Sequence, residues 1–216
     1  MPDVELLKIC LMGHPTELKN KWVRRFAEGK FTTNYLPIQG VDIMTKQIQV
    51  DGNYIKLILV DVASQEFFRK KQTSYYRGAS TAIITFDKGD RDSFKAVRRW
   101  YKEFVNDINR LKRSRYQVPI ALVGFITKAE SVTPTFLKIQ KRLKNTDWIN
   151  KGDIEEIDEE VTTAEGQSLA EELGLSYYET RPTDKKIEQI FHDLVFKVLQ
   201  KDISSSEKDK RGSGGN

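Results

Sequence analysis

Leu6-Leu7-Lys8-Ile9-Cys10-Leu11-Met12 runs into Gly13-His14-Pro15-Thr16-Glu17-Leu18-Lys19-Asn20, and the residues that follow set Trp22, Val23 and Phe26 at helical spacing. A short apolar run closed by glycine reads as a buried strand, and apolar residues three and four apart read as one helix face. The stretch is therefore a strand over Leu6–Met12, a turn, and a helix over Asn20–Glu28. A loop that cradles phosphates in this setting needs glycine, any four residues, Gly-Lys and then Ser or Thr. Gly13 and Lys19 stand at two of these positions, and Leu18 and Asn20 replace the other two. Such a half-match arises easily by chance, so its weight depends on the rest of the chain.

Outward from this start, strand-like and helix-like runs alternate. Asp42–Val50 alternates weakly, and Asp51-Gly52 marks a hairpin turn into Tyr54–Val60. Thr81–Phe86 and Pro119–Gly124 are compact apolar strands, and Tyr177–Glu179 is a short one. Ser93–Ile108 carries Phe94, Val97, Trp100, Tyr101, Phe104 and Ile108 at helical spacing. Ala164–Leu173 is a helix stopped by Gly174, and Lys186–Leu199 is a final amphipathic helix. Strands separated by helices imply parallel pairing with right-handed crossovers. The expected fold is an α/β three-layer sandwich with a mostly parallel six-stranded sheet and one antiparallel edge strand from the hairpin.

Composition narrows the function. The 216 residues suit one domain, expected over 1–200, followed by a disordered polar tail over 201–216. Lysine and arginine number 36 against 31 acids, and a net charge of +5 is too mild to point to nucleic acid. One cysteine, Cys10, excludes a disulfide framework and a cysteine-rich zinc site. The two histidines, His14 and His192, have no neighbours suited to a metal site or a Ser-His-Asp triad. No apolar run approaches the roughly 18 residues of a membrane span. Asp3 and Glu5 argue against a secretion signal, and the last four residues lack the cysteine of a prenylation motif. The expectation is a cytoplasmic protein without a stable membrane anchor. Charge is uneven: Arg98–Arg115 holds seven basic residues and two acids, and Asn150–Glu172 holds nine acids and one lysine. Both read as solvated faces or as partner surfaces.

Several further runs carry a resemblance. Arg24-Arg25-Phe26-Ala27-Glu28-Gly29-Lys30-Phe31, Tyr35-Leu36-Pro37-Ile38-Gln39-Gly40-Val41-Asp42, Asp61-Val62-Ala63-Ser64-Gln65-Glu66, Tyr75-Tyr76-Arg77-Gly78-Ala79 and Asp87-Lys88-Gly89-Asp90-Arg91-Asp92-Ser93-Phe94 follow one another, with Val161-Thr162-Thr163-Ala164-Glu165-Gly166 and Tyr178-Glu179-Thr180 beyond. In order and spacing they resemble the Ras superfamily of small GTPases, most closely the Rab type, over most of the chain. The resemblance implies the P-loop NTPase sandwich, binding of GDP or GTP with Mg2+, hydrolysis of GTP, and partners recognised through switch surfaces at about 35–45 and 61–80.

The resemblance also assigns roles, and the departures bear on each. Gly13 and Lys19 correspond to the phosphate loop; Leu18 takes the place of a glycine that lets backbone N–H groups turn to phosphate. Asn20 stands for the Mg2+-binding hydroxyl, and its amide oxygen is a longer substitute. Asp61 corresponds to the acid that holds Mg2+, so Asn20 and Asp61 are the candidate metal residues. Ile38 replaces the threonine that meets Mg2+ and γ-phosphate, and offers no oxygen. Ser64 replaces a glycine facing the γ-phosphate. Gln65 matches the catalytic glutamine that positions water. Phe31 matches the residue packing on the guanine edge. The guanine-reading box N-K-x-D becomes Phe125-Ile126 without a gap, or Thr127, Lys128 and Glu130 with one. The last box becomes Thr180-Arg181-Pro182, where Pro182 has no N–H to donate. A surface insertion lies at about 135–160 and is a further candidate for partner recognition.

The implied protein is a Rab-like regulatory protein of small-GTPase fold with impaired guanine-nucleotide and Mg2+ binding, a pseudo-GTPase acting through protein partners. The losses cluster on the γ-phosphate and metal side, which favours GDP over GTP. The alternatives are an active GTP-hydrolysing switch with divergent motifs and a nucleotide-free scaffold.

Overall fold

The computed structural model describes residues 5–29, 40–62, 75–112, 118–127 and 160–212, with side chains described to residue 110 in the second helix and to residue 201 in the last. Six strands are β1 (Glu5–Gly13), β2 (Val41–Val50), β3 (Asn53–Val62), β4 (Thr81–Asp87), β5 (Ile120–Phe125) and β6 (Ser176–Thr180). Among the described residues the main helices are α1 (Thr16–Glu28), α2 (Arg91–Lys112), α3 (Thr163–Leu173) and α4 (Lys186–Gly212). The strands form one sheet in the order β2-β3-β1-β4-β5-β6. All neighbours pair parallel except β2 and β3, so the expected mixed sheet with an antiparallel edge is the observed one.

Strand periodicity explains the layers. Successive side chains point to opposite faces. From β1, Leu7, Ile9 and Leu11 enter a core with Trp22, Val23 and Phe26 of α1 and Phe191, Leu194 and Val198 of α4. Cys10 and Met12 enter the other core, with Val97, Trp100 and Phe104 of α2 and Leu169 and Ala170 of α3. Because both faces of β1 are covered, its sequence is almost continuously apolar. Burial pushes the Cys10 thiol up to about 12, which keeps it protonated. At the hairpin, Asp51 and Gly52 both have positive φ (51° and 79°), the backbone of a two-residue turn whose twist matches its strands.

The helices differ from the sequence expectation at their ends. α1 begins at Thr16, four residues before Asn20, because apolar spacing marks the buried face and not the polar first turn. Its entry is set by Pro15, whose carbonyl accepts the Lys19 N–H at 3.0 Å. α2 begins at Arg91, where Asp90 Oδ1 accepts the N–H groups of Asp92 (2.9 Å) and Ser93 (3.2 Å). α3 opens on a capping box between Thr162 and Glu165. The backbone of α4 continues past Leu199 to Gly212, through residues whose composition reads as a polar tail. No glycine or proline interrupts it before Gly212. The insertion at 135–160 lies outside the described residues except for Glu160.

An aromatic wall fixes α1. Phe26 stacks on Phe191 of α4 at 3.8 Å, and Trp22 meets Phe125 of β5 edge-on at 5.5 Å. These contacts hold the helix that carries Lys19 and Asn20 against the ends of β1 and β3.

Candidate functional site

The site lies where β1 and β3 end, next to the first two turns of α1. In open α/β sheets this carboxyl edge is where ligands bind. Gly13 closes β1 with φ at 108°. A Cβ there would stand 2.2 Å from the Thr85 carbonyl oxygen, so the backbone can approach β4 only as glycine. His14 N–H donates to that same carbonyl at 3.1 Å, and the Thr85 hydroxyl donates to the His14 carbonyl at 3.1 Å. Only His14 and Pro15 separate β1 from α1.

Lys19 is fully buried. Its ammonium pairs with Asp61 Oδ1 and donates to the Val62 carbonyl at 2.8 Å. Asn20 Nδ2 donates to Asp61 Oδ2 at 3.0 Å and to Asp42 Oδ2 at 3.3 Å. Arg24 Nε donates to Asn20 Oδ1 at 3.2 Å, and its Nη2 pairs with Asp42 Oδ2 at 2.6 Å. Two cations, two carboxylates and one amide from α1, β2 and β3 thus satisfy one another. Burying such charges is tolerable only because each is paired.

Lys19, Asn20 and Asp61, candidates from sequence, are brought together here, and Gly13 lies just before them. Asp42 and Arg24 belong to the same cluster; the sequence places Asp42 only within the switch-like surface at about 35–45 and gives Arg24 no site role. A signal for Arg24 existed: it stands four residues after Asn20, on the same helix face. Leu18 is half-buried and packs on the α1–α4 core, away from a loop role. Phe31, Ile38, Ser64, Gln65, Lys128 and Glu130 lie outside the described residues.

The described residues of this cluster, as they are arranged, do not fit a divalent cation. Mg2+ asks for hard oxygens in near-octahedral array. Both Asp61 oxygens already accept hydrogen bonds, from Lys19 and from Asn20. The Asn20 oxygen faces the Arg24 guanidinium. Where a metal would meet negative charge, the cluster is already neutral.

At the other end of the same edge, β4, β5 and β6 bring a second cluster together. Thr127 Oγ1 donates to Asp87 Oδ1 at 2.5 Å, and the Gly89 N–H donates to that oxygen at 2.8 Å. Lys88 pairs with Glu179 at 2.8 Å, and Tyr177 donates to Glu179 at 2.6 Å. Burial alone would push the Glu179 carboxyl up, but the bonds from Lys88, Tyr177 and Thr163 outweigh it and hold it below the usual range. Burial, then the Glu179 carboxylate, pushes the Tyr177 hydroxyl far up. Phe125, the ungapped counterpart of the guanine-reading asparagine, is buried against Trp22. The Pro182 carbonyl accepts Arg25 Nη1 at 3.2 Å. The sequence reading did not single out the Lys88–Glu179 pair.

The two charged runs partly face each other. Arg98 of α2 makes a two-pronged pair with Glu172 of α3, and Arg91 does the same with Glu165 at 2.5 and 3.3 Å. The Arg91 guanidinium, then the Thr162 bonds, hold the Glu165 carboxyl down at about 2. Among the described residues no helix is long and apolar enough to cross a membrane.

Comparison with known proteins gives a consistent result. A family model described as Ras family matches residues 8–200. The Ras-related protein RAB1BV of Beta vulgaris is 31% identical over 197 residues, 91% of this chain and 77% of that protein. The Ras-related protein SEC4 of Saccharomyces cerevisiae is 30% identical over 213 residues, 97% of this chain and 82% of that protein. The GTP-binding protein yptV2 of Volvox carteri is 32% identical over 200 residues, 92% of this chain and 78% of that protein.

Proposed function

The chain belongs to the Ras family, and from that premise we propose that it is a Rab-like regulatory protein with impaired binding of guanine nucleotide and Mg2+, acting through protein partners. One observation carries the reading: the Lys19 ammonium is spent on Asp61. In a phosphate-binding loop that lysine must meet phosphate oxygens, and a Mg2+-holding acid must keep its charge for the metal. Supporting it, Asn20 has no hydroxyl, and Ile38 and Ser64 stand where the resemblance requires threonine and glycine. These departures lie on the γ-phosphate side, so GDP is the better ligand of the two. The partner surface includes the start of β2, where Ile43 is 62% exposed. The surfaces at about 35–45 and 61–80, and the insertion at 135–160, complete the candidates, and the cytoplasm is the expected location.

Isothermal titration with GDP, GTP and a non-hydrolysable GTP analogue, with and without Mg2+, tests the proposal. Weak binding that Mg2+ does not improve is expected; tight Mg2+-dependent GTP binding overturns it. Mass spectrometry of gently purified protein should find little co-bound nucleotide. The retained Lys19, Asp61 and Gln65 favour a second reading, an active GTPase. Phosphate release from GTP that both Lys19→Ala and Gln65→Leu abolish would establish it.

A further inference from the structure

Asp61 holds Lys19 more completely than an incidental neighbour would. Lys19 is 0% exposed and Asp61 4%, so the pair is shielded from solvent. The carboxylate is fixed from both sides, Oδ1 on Lys19 and Oδ2 on Asn20. Asn20 is in turn held by Asp42 and Arg24. The ammonium has its own second anchor in the Val62 carbonyl. An anion arriving at Lys19 must therefore break a buried pair and leave Asp61 with its charge uncompensated. That loss is the costly way to open a buried ion pair.

We infer that Asp61 acts as an internal anion that occupies the phosphate-binding cation, so that the ligand this site admits is a metal-free phosphate anion in competition with a carboxylate. The inference rests on Lys19 being the phosphate cation of the proposed function, and it gives Asp61 the opposite role from a metal holder. The two roles differ in sign. Removing the charge of a metal holder weakens the phosphate binding that Mg2+ supports. Removing the charge of an internal competitor strengthens it, because Lys19 is released while its position on α1 is kept by Trp22 and Phe26.

The test is titration, once in EDTA and once in Mg2+, of the full chain and of Asp61→Asn with two probes, GDP and inorganic tripolyphosphate. Glu165→Gln removes one negative charge on α3, which packs on the other face of the sheet from α1, and serves as the control. Asp61→Asn should bind both probes about tenfold or more tightly than the parent chain, with the control unchanged. Equal or weaker binding by a folded Asp61→Asn in either medium overturns the inference. Should that variant fail to fold, the parent chain decides by NMR. The Lys19 ammonium protons should exchange slowly with water in the absence of ligand, and rapid exchange overturns the inference. Tight Mg2+-dependent GTP binding by the parent chain would overturn the proposed function and this inference together, whereas weak Mg2+-independent binding that Asp61→Asn does not strengthen would overturn this inference alone.

Discussion

Lys19–Asp61 and Arg98–Glu172 each join a helix cation to a carboxylate on another element, yet their surroundings are opposite. The first pair has side chains 0% and 3% exposed; the second has them 56% and 54% exposed. In the first, desolvation makes each charge depend on its partner, so the pair works as one unit. In the second, water serves both charges nearly as well, and what the pair contributes comes from its two-pronged geometry. Contact geometry alone does not rank the two. What lies around the charges decides whether a pair is structural or incidental.

The widest gap between them should appear on removing one cation. Lys19→Met leaves the Asp61 carboxylate buried and should cost about 3–5 kcal/mol in urea unfolding. Lys19→Met combined with Asp61→Leu should recover much of that, and a single-variant cost near zero would erase the contrast. Next comes the backbone beside the buried pair. Gly13→Ala forces a Cβ onto the Thr85 carbonyl at a positive φ, and about 1–3 kcal/mol should be lost by the same measurement.

Arg24 lies between the extremes, with its side chain 27% exposed. Arg24→Ala strips Asp42 and Asn20 of one partner each, and should cost about 1 kcal/mol. On the exposed side, Glu165 should titrate near pH 2 in carboxyl NMR, and Arg91→Ala should raise that midpoint. Its folded value lies below the ordinary one. Its contribution to stability is therefore fully present above the ordinary carboxylate range and fades as pH falls toward 2. Glu172→Gln should be the smallest change, a slight fall in melting midpoint at low salt that high salt erases.

Much of the fold could be read directly. Gly13 ended β1, Asp51-Gly52 turned the hairpin, and Gly174 stopped α3, each by a local backbone requirement. The first turn of α1 could not be read, because Thr16 to Lys19 carry little of the apolar pattern that marks a helix. In the site, Lys19, Asn20 and Asp61 were legible as individuals through their place in motif-like runs. Their mutual pairing was not. Lys19 and Asp61 are 42 positions apart, and Arg24 and Asp42 are 18 apart. Those contacts exist only once β3 lies beside β1 and α1 packs over both. Thr127 reached Asp87 for the same reason, through the pairing of β4 with β5. The roles of Phe31, Ile38 and Gln65 rest on the resemblance.

Gly13 carries one more lesson, about descent. Its backbone presses on Thr85 so closely that any side chain collides, whatever the neighbouring loop holds. Selection to keep the sheet intact is therefore enough to preserve this glycine. A lineage in this family could surrender every nucleotide contact and still pass on the first letter of the phosphate motif, as an inheritance of architecture and not of chemistry.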